Sequence, residues 1–461
     1  MVVLGALAPH PPIIVPAVGR GELGRVRATR EAMGALAAAM AAESPETIVV
    51  FTPHGNVFPD RLMITATPRL EGSLARFGDP AVQRWENDLE LVEAIAEVGG
   101  EAGLRIELLE SGGPRAALDQ GVLVPLSFLA PALPAARLVV VGMGLLPLPY
   151  LYRFGECVAV AAERCGRRTA VLASGDLSHR LGGESPYGYD PAGPEFDRRL
   201  MDLLGRADVT GILSIPADLA ERAGECGYRS IVMMLGSLDG LAVEARILGY
   251  EAPFGIGYGV AFLRPTGPDP GRRFGESMRA AEMEKVRKRR ENESPYVRLA
   301  RETVAAQATG RPLPEEPPDL PMDAASRRAG VFVSIKKAGE LRGCIGTILP
   351  TRRNILEEIR ANAIAAAFHD PRFEPVRPEE LPDLVYSVDV LGEPEPVAGL
   401  EDLDPKRYGV IVSRGARRGL LLPDLEGIET AEDQVAIARR KAGIGPDEEV
   451  QLARFEVTRY H

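Results

Sequence analysis

Short apolar runs alternate with longer amphipathic stretches over the first 264 residues, and this alternation constrains the fold more than any other feature. The pattern is typical of β-strands joined by crossover helices. We therefore predict an α/β domain whose central sheet is flanked by helices. Helical periodicity covers Gly24–Glu43 and Val82–Gly99, and the predicted strands are Val2–Ala8, Thr47–Thr52, Leu138–Gly142, Thr169–Ala173, Val243–Leu248 and Gly257–Phe262.

The composition of the sequence changes after Arg264, where proline, glycine and charged residues dominate. This change predicts a first domain over 1–264 and a linker over 265–293. A second, smaller domain is predicted over 294–461, beginning with a helix that Ser294 caps. A further helix and several strands follow, which predicts an α+β fold; these elements are 352–368 for the helix and 330–337, 384–391, 409–414 and 419–423 for the strands.

Charge and cysteine content exclude several classes of protein. A net charge of -11, from 54 basic and 65 acidic side chains, provides no broad cationic surface for nucleic acid. The apolar N-terminus lacks a basic n-region, and no apolar run reaches the roughly 20 residues of a membrane span. We expect a cytoplasmic protein with neither nucleic-acid nor membrane partners.

Free thiols are predicted, because no metal-finger or paired spacing relates the four cysteines, Cys157, Cys165, Cys226 and Cys344.

Three of the five histidines follow predicted strands, where ligands bind in open α/β sheets. His10 and His54 each come two residues after a strand, and His179 comes six residues after another. Asp176 and Ser178 are close enough in "SGDLSH" to orient the imidazole of His179. Because imidazole titrates near neutrality, we predict that His179 and Asp176 form an acid–base pair, with metal ligation as the second role of His179. Each histidine taken singly is more commonly a solvated loop residue.

Two histidines need an anionic partner to form a metal site, since two imidazoles and one carboxylate form the facial triad of non-haem Fe(II) sites. Glu225 and Cys226 come just before a predicted helix that starts near Tyr228, where the helix dipole favours a carboxylate or a thiolate. We predict His10, His54 and one of these two residues as metal ligands. The alternatives are a first-turn cap for Glu225 and a small buried side chain for Cys226.

A second candidate site contains Cys344, which has a glycine on either side in "LRGCIGT". Arg342 comes two residues earlier and shares its side of the chain if the segment is extended. A cationic neighbour favours the nucleophilic form of a thiol, so Arg342 and Cys344 form a candidate patch. The commoner alternative is a buried structural cysteine beside turn glycines. His369, in "FHDPRF", is interpreted as a solvated loop residue.

The segments "APHPP", "TPHG", "SGDLSH" and "ECGYRSI", in this order, resemble the catalytic subunit of class III extradiol ring-cleavage dioxygenases (LigB type) and the related Memo-like proteins. The resemblance implies that His10 and His54 bind Fe(II), that His179 is the acid–base residue, and that the protein is a homo-oligomer. Dioxygenases of this type use a glutamate as third ligand, whereas Memo-like proteins have a Cys-Gly motif, which Cys226 and Gly227 match. A thiolate ligand would also admit zinc or copper.

The segments "LRGCIGT", "AIAAAFHDPRFEP" and "LLLPDLEG" are similar to AMMECR-type domains, which implies a fold and a surface patch at Arg342 and Cys344. The fusion of both domains resembles proteins of the AmmeMemoRadiSam system, which implies a radical S-adenosylmethionine enzyme as partner. We expect a non-haem metal-dependent oxidoreductase that acts on a small aromatic or phenolic substrate. A non-catalytic metal-binding scaffold for the radical enzyme is the alternative, and hydrolysis by zinc-bound water is a third hypothesis.

Overall fold

The computed structural model describes residues 1–110, 117–183, 185–337, 339–425 and 427–461. The chain forms two compact units, Met1–Arg279 and Ala280–His461. The segment predicted as a linker, 265–293, contains the end of a strand and a complete helix, and the boundary between the units falls inside that helix. Within the described ranges, no helix is both long enough and apolar enough to cross a bilayer.

An eight-stranded mixed sheet forms the centre of the first unit. The strands of this unit are β1 (Val2–Ala8), β2 (Thr47–Thr52), β3 (Leu62–Thr65), β4 (Arg69–Leu74), β5 (Asp79–Glu86), β6 (Ile106–Leu109), β7 (Arg137–Gly142), β8 (Thr169–Ser174), β9 (Leu241–Glu251) and β10 (Tyr258–Pro268). Its helices are α1 (Pro16–Gly19), α2 (Arg27–Ala42), α3 (Leu89–Glu101), α4 (Gln120–Leu129), α5 (Leu148–Arg164), α6 (Ala192–Gly205), α7 (Val209–Leu213), α8 (Ala217–Ala223), α9 (Tyr228–Gly236) and α10 (Phe274–Glu291). The sheet order is β6-β3-β7-β2-β8-β1-β10-β9, and β4 pairs only with β5 among the described strands.

Helices cover both faces of the large sheet, so its central strands are apolar on both sides. In β2, Ile48 and Val50 pack into one hydrophobic core, whereas Val49 and Phe51 pack into the other. Every residue of β1, β2 and β8 is buried. This double burial explains why these strands appear as continuous apolar runs rather than as alternating ones. The predicted α/β architecture is confirmed.

The region around the only tryptophan differs from the prediction. The helix predicted over Val82–Gly99 begins at Leu89, because β5 pairs with β4 in an antiparallel hairpin that includes Trp85. Strand β5 is mostly exposed, so few buried apolar residues mark it as a strand. Strands β3 and β6 have only four residues each, too few for a periodic pattern to reveal them.

The described part of the second unit combines two four-stranded sheets with three helices and the end of α10. The helices are α11 (Pro295–Thr309), α12 (Ile355–Phe368) and α13 (Ala431–Ala442), and the strands are β11 (Val331–Lys337), β12 (Glu340–Gly346), β13 (Leu384–Leu391), β14 (Glu395–Val397), β15 (Gly409–Arg414), β16 (Arg417–Leu421), β17 (Gln451–Phe455) and β18 (Val457–Tyr460). Helices α11 and α12 pack on the sheet β12-β11-β13-β18, and α13 packs on the sheet β14-β17-β15-β16. Ser294 caps α11 by accepting a hydrogen bond from the backbone of Val297 at 3.3 Å, as predicted. The α+β class of this unit is confirmed.

Candidate metal centre and catalytic site

Three adjacent strands bring the strand-end histidines together. Strand β8 pairs in parallel with both β2 and β1, so the segments beyond their carboxyl ends share one edge of the sheet. His10 follows β1 there and His54 follows β2. Their rings meet edge to face with centroids 4.6 Å apart, and their Nε2 atoms are separated by 2.9 Å. The sheet order thus makes neighbours of two histidines that are distant in the sequence.

Hydrogen bonds determine which nitrogen of His10 carries the proton. Ser174 Oγ donates to the carbonyl of Gly121 at 2.5 Å, so it accepts from Nδ1 of His10 at 2.9 Å. Nδ1 is therefore protonated and Nε2 keeps a lone pair, which is the form that binds a cation. Burial, together with the charge of His54, lowers the pKa of His10 to about 3. The imidazole is consequently neutral at physiological pH.

Residues at the start of helix α4 form hydrogen bonds that hold His54 in place. Thr52 Oγ1 accepts from the backbone N–H of His54 at 3.2 Å and donates to Asp119 Oδ1 at 2.9 Å. Asp119 in turn caps α4 by accepting from the backbone of Gly121 at 2.7 Å. The side-chain nitrogen of Gln120 lies 3.3 Å from His54 Nε2. One helix end therefore positions both imidazoles, through Asp119 for His54 and through the Gly121 carbonyl for His10.

Cys226 faces the histidines, whereas Glu225 is turned toward helix α9. The sulfur of Cys226 lies 3.7 Å from His10 Nε2 and accepts from the backbone N–H of Asp176 at 3.3 Å. The Glu225 carboxylate accepts from the backbone of Tyr228 at 2.5 Å, which is the capping role considered as its alternative. Burial raises the pKa of Glu225 to about 7. Burial, and then the charge of Asp176, raise the pKa of Cys226 well above its usual range.

A contact between two glycines sets the position of Cys226. A Cβ atom on Gly175 would lie 2.0 Å from the Cα of Gly227, and a Cβ on Gly227 would lie 3.1 Å from the carbonyl of Asp176. The backbone of Cys226 donates to the same carbonyl at 3.3 Å. Because the two loops touch backbone to backbone, neither position has room for a side chain without movement.

Replacing Gly175 by alanine is therefore expected to separate the two loops. We expect a loss of about 1–3 kcal/mol in the free energy of unfolding, as for other overpacked sites, and faster labelling of the Cys226 thiol. Denaturant unfolding and peptide mass spectrometry after alkylation measure the two effects. Gly182→Ala is the matched control, because a Cβ there meets nothing within 4 Å. Equal unfolding midpoints and labelling rates for the two variants would contradict the role given to this contact.

His179 lies in a separate, half-buried position close to the same edge. Its ring stacks on that of Tyr187 with centroids 5.4 Å apart, and its Nε2 is buried with no hydrogen-bond partner among the described residues. Burial lowers the pKa of His179, although the charge of Asp176 opposes this effect. Burial raises the pKa of Asp176 itself to about 6, while its Oδ1 accepts from the backbone of His10 at 2.9 Å. A buried ring nitrogen without a partner is uncommon and requires an explanation.

The side chains of His10, His54 and Cys226 lie near the arrangement that a metal site requires, but they do not form one in this structure. Within the part of the chain that the structure describes, no three His, Cys, Asp or Glu side chains are arranged to hold a cation. The 2.9 Å between the Nε2 atoms of His10 and His54 suits two ligands at right angles, each about 2.0–2.1 Å from a metal. The sulfur of Cys226 approaches the pair from the side of His10. A small side-chain movement of Cys226 is what a third bond would require.

Comparison with known proteins shows the family of each domain. A family model described as the catalytic LigB subunit of aromatic ring-opening dioxygenase matches residues 4–261. The chain belongs to the LigB family. An AMMECR1 family model matches residues 297–461, so the LigB domain is followed by an AMMECR1 domain.

Relatives with the same domain order exist among the curated proteins. One from Clostridium acetobutylicum is 42% identical to this chain over an alignment of 468 positions that covers 98% of each protein. The solved structure of a Pyrococcus horikoshii protein is 33% identical, covers 36% of this chain and 88% of its own, and has a TM-score of 0.33. An Escherichia coli structure is 19% identical, covers 56% of this chain and 99% of its own, and has a TM-score of 0.38.

In the AMMECR1 domain, Arg342 and Cys344 have different partners. The ladder between β11 and β12 contains a register shift next to Arg342, and the guanidinium of Arg342 pairs with Glu380 at 2.9 Å. Burial alone would raise the pKa of Glu380, but the Arg342 hydrogen bond and nearby positive charges outweigh it and hold this pKa at about 2. The guanidinium near Cys344 belongs to Arg372, whose Nη2 donates to the Cys344 carbonyl at 3.0 Å. His369 ends helix α12 in the same "FHDPRF" segment as Arg372.

Several residues of the LigB site were not predicted from the sequence. Asp119 and Gln120 start α4 and support His54, and Tyr187 stacks on His179. Asp119 followed by an apolar run carries the usual helix-capping signal, which could have marked this position. Tyr187 lies in a glycine-containing loop, where periodicity offers no signal.

Proposed function

We propose that the LigB domain is a non-haem metal-dependent oxidoreductase, with Fe(II) as its metal, that acts on a small phenolic or other aromatic substrate. The observation that supports this best is the convergence of His10 Nε2 and His54 Nε2, beyond neighbouring strands, with Cys226 Sγ from the segment before α9. The match of residues 4–261 to the catalytic subunit of ring-opening dioxygenases supports the class of reaction.

The donor chemistry fits a first-row metal. His10 and His54 would supply neutral nitrogens, and Cys226 rather than Glu225 would supply the anionic ligand, because the Glu225 carboxylate caps α9. The hydrogen bond from His10 Nδ1 to Ser174 gives His10 the outer-shell support that metal-binding histidines usually have. When bound, Fe(II) would bring a substrate oxygen and O2 together and polarise both. A thiolate in the ligand set would also accept zinc or copper.

In this proposal the protein's own groups move the substrate proton. His179 accepts the hydroxyl proton at Nε2, which has no partner in the described protein, and returns it later in the reaction. Burial lowers the pKa of His179, so the ring begins as a neutral base. Asp176 opposes that shift and stabilises the protonated ring by its charge. Tyr187 restrains the ring by stacking and so keeps Nε2 directed at the substrate.

Oxygen uptake tests the proposal directly. Protein purified without oxygen and loaded with Fe(II) is mixed with a panel of catechols and monophenols in aerated buffer. We expect uptake that depends on a substrate, is absent from protein loaded with Zn(II), and stops when a chelator removes the iron. Stoichiometric iron without uptake for any member of the panel would overturn the oxidoreductase proposal. That outcome would favour the metal-binding scaffold instead.

A further inference from the structure

The AMMECR1 domain contains a cavity of about 910 Å³. Its lining comes from strands β11, β12, β13 and β18, from β16 with the end of α13, and from the end of α10 with the start of α11. Cys344, Ser334 and Ser387 occupy paired positions on three adjacent strands and form a row along its floor. Ser334 Oγ donates to the Cys344 sulfur at 3.2 Å. The cavity therefore presents a thiol and two hydroxyl groups side by side.

Positive charge exceeds negative charge around this row. Arg372 pairs with Asp370 at 2.7 Å, and Arg459 pairs with Asp389 at 2.7 Å. Lys441 is exposed where α13 meets the cavity and has no ion-pair partner among the described residues. Partial burial of its ammonium group lowers the pKa of Lys441, the charge of Cys344 opposes this effect, and the charge of Arg372 adds to it. Lys336, on the same face of β11 as Ser334, likewise has no ion-pair partner among the described residues, so the cavity lining carries uncompensated positive charge.

Arg372 also has a hydrogen-bond donor that no described residue engages. Its Nε and Nη2 atoms are engaged by Asp370 and by the Cys344 carbonyl, whereas Nη1 makes no hydrogen bond to a described residue. Asp370 itself accepts from the backbone N–H of Cys344 at 2.9 Å. Arg372, which lines the cavity, is therefore held next to Cys344 by two separate contacts while one of its donors is not engaged by a described residue.

Apolar groups form another part of the lining. Phe332, Leu420 and Leu422 face the cavity from opposite sheets. A Cβ atom on Gly346 would lie 2.2 Å from the Phe332 ring, so the second glycine of "LRGCIGT" makes room for this ring. A Cβ on Gly343 would lie 2.1 Å from a carbonyl of α12. Both glycines near Cys344 therefore allow close packing of neighbouring groups. The row of Cys344, Ser334 and Ser387 remains accessible from the cavity.

We propose that this cavity binds a small organic anion. Lys441 and Nη1 of Arg372 hold its carboxylate or phosphate group, and Phe332, Leu420 and Leu422 contact its apolar part. The bound molecule then lies beside the thiol of Cys344. Neither this site nor its test depends on the metal centre of the LigB domain.

Alkylation of Cys344 by two reagents of similar size tests the proposal. Iodoacetate is itself a small organic anion, whereas iodoacetamide is its neutral counterpart. Cys165, which is half-buried like Cys344, is the internal reference in the same full-length protein. We expect the iodoacetate-to-iodoacetamide rate ratio at Cys344 to exceed that at Cys165 by about fivefold at low salt, and to fall as salt increases. Equal ratios at the two thiols would overturn the proposal.

Variants and competitors identify the groups responsible. Lys441→Gln is expected to remove most of the difference between the rate ratios at Cys344 and Cys165. Lys441→Arg keeps the charge and is expected to retain that difference. Benzoate and phenyl phosphate should slow labelling of Cys344 and leave Cys165 unaffected, and the stronger of the two shows which anionic group is preferred. An unchanged ratio in Lys441→Gln would overturn the role of Lys441. Equal protection by uncharged benzyl alcohol would overturn the requirement for an anion.

Discussion

Replacing His179 by alanine is expected to lower kcat of the Fe(II)-loaded protein by about 10²- to 10⁴-fold, the usual contribution of a general base. Iron content should remain unchanged, because neither His10 nor His54 depends on a hydrogen bond from His179. The buried Nε2 of His179 has no partner in the described protein, so its removal breaks no internal hydrogen bond. Oxygen uptake at saturating substrate and iron analysis of the same sample measure both quantities.

The control for this variant is His369→Ala, the same substitution in the AMMECR1 domain, which should leave both quantities at their wild-type values. Loss of iron from His179→Ala would assign that residue to the metal instead of to proton transfer. Wild-type turnover in His179→Ala would remove it from the mechanism altogether. Tyr187→Leu adds a milder comparison, because it removes only the ring that stacks on His179.

Replacing Cys226 by alanine is expected to reduce bound iron from about one per chain to almost none, whereas Glu225→Gln should retain it. Loss of a direct ligand should exceed the roughly 10- to 100-fold weakening typical of outer-shell changes. His10→Ala and His54→Ala should behave like Cys226→Ala. Equilibrium dialysis against Fe(II) without oxygen measures the affinity, and circular dichroism verifies the fold of each variant.

Glu225→Gln is a strict control because a glutamine side-chain oxygen can still accept the hydrogen bond from the backbone of Tyr228. The substitution removes the charge and preserves the cap of α9. If Glu225→Gln lost its iron and Cys226→Ala kept it, the third ligand would be the glutamate. The site would then have the ligand set that the ring-cleaving dioxygenases use.

The strands that carry His10 and His54 could be predicted from the sequence to the residue, since double burial makes them continuous apolar runs. The choice between Glu225 and Cys226 could not. Adjacent residues have the same sequence environment, and the one that faces His10 is determined by the contact of Gly175 with Gly227. Such a contact depends on tertiary packing between distant segments, which local patterns do not report.

The surroundings of Arg342 and Cys344 are a second feature that local sequence patterns do not predict. Regular alternation along an extended strand predicts Arg342 and Cys344 on one side, but a register shift interrupts that alternation. The cations that surround Cys344 are Arg372 and Lys441, which come from the loop after α12 and from helix α13. Their approach is a property of how the two sheets pack, so only the fold reveals it.

Strand β1 lies in the interior of the large sheet, and both strands that pair with it come much later in the sequence. Its Ala8 pairs with Ser174 of β8 and its Leu7 with Ala261 of β10. At about 5–20 residues per second, the ribosome needs on the order of 10 s or more to reach β8 after completing β1. An apolar strand must therefore remain without its neighbours for much of synthesis, which exposes it to aggregation and to chaperones. Because the proposed ligands extend from His10 to Cys226, a metal can meet the complete set only after synthesis has passed Cys226.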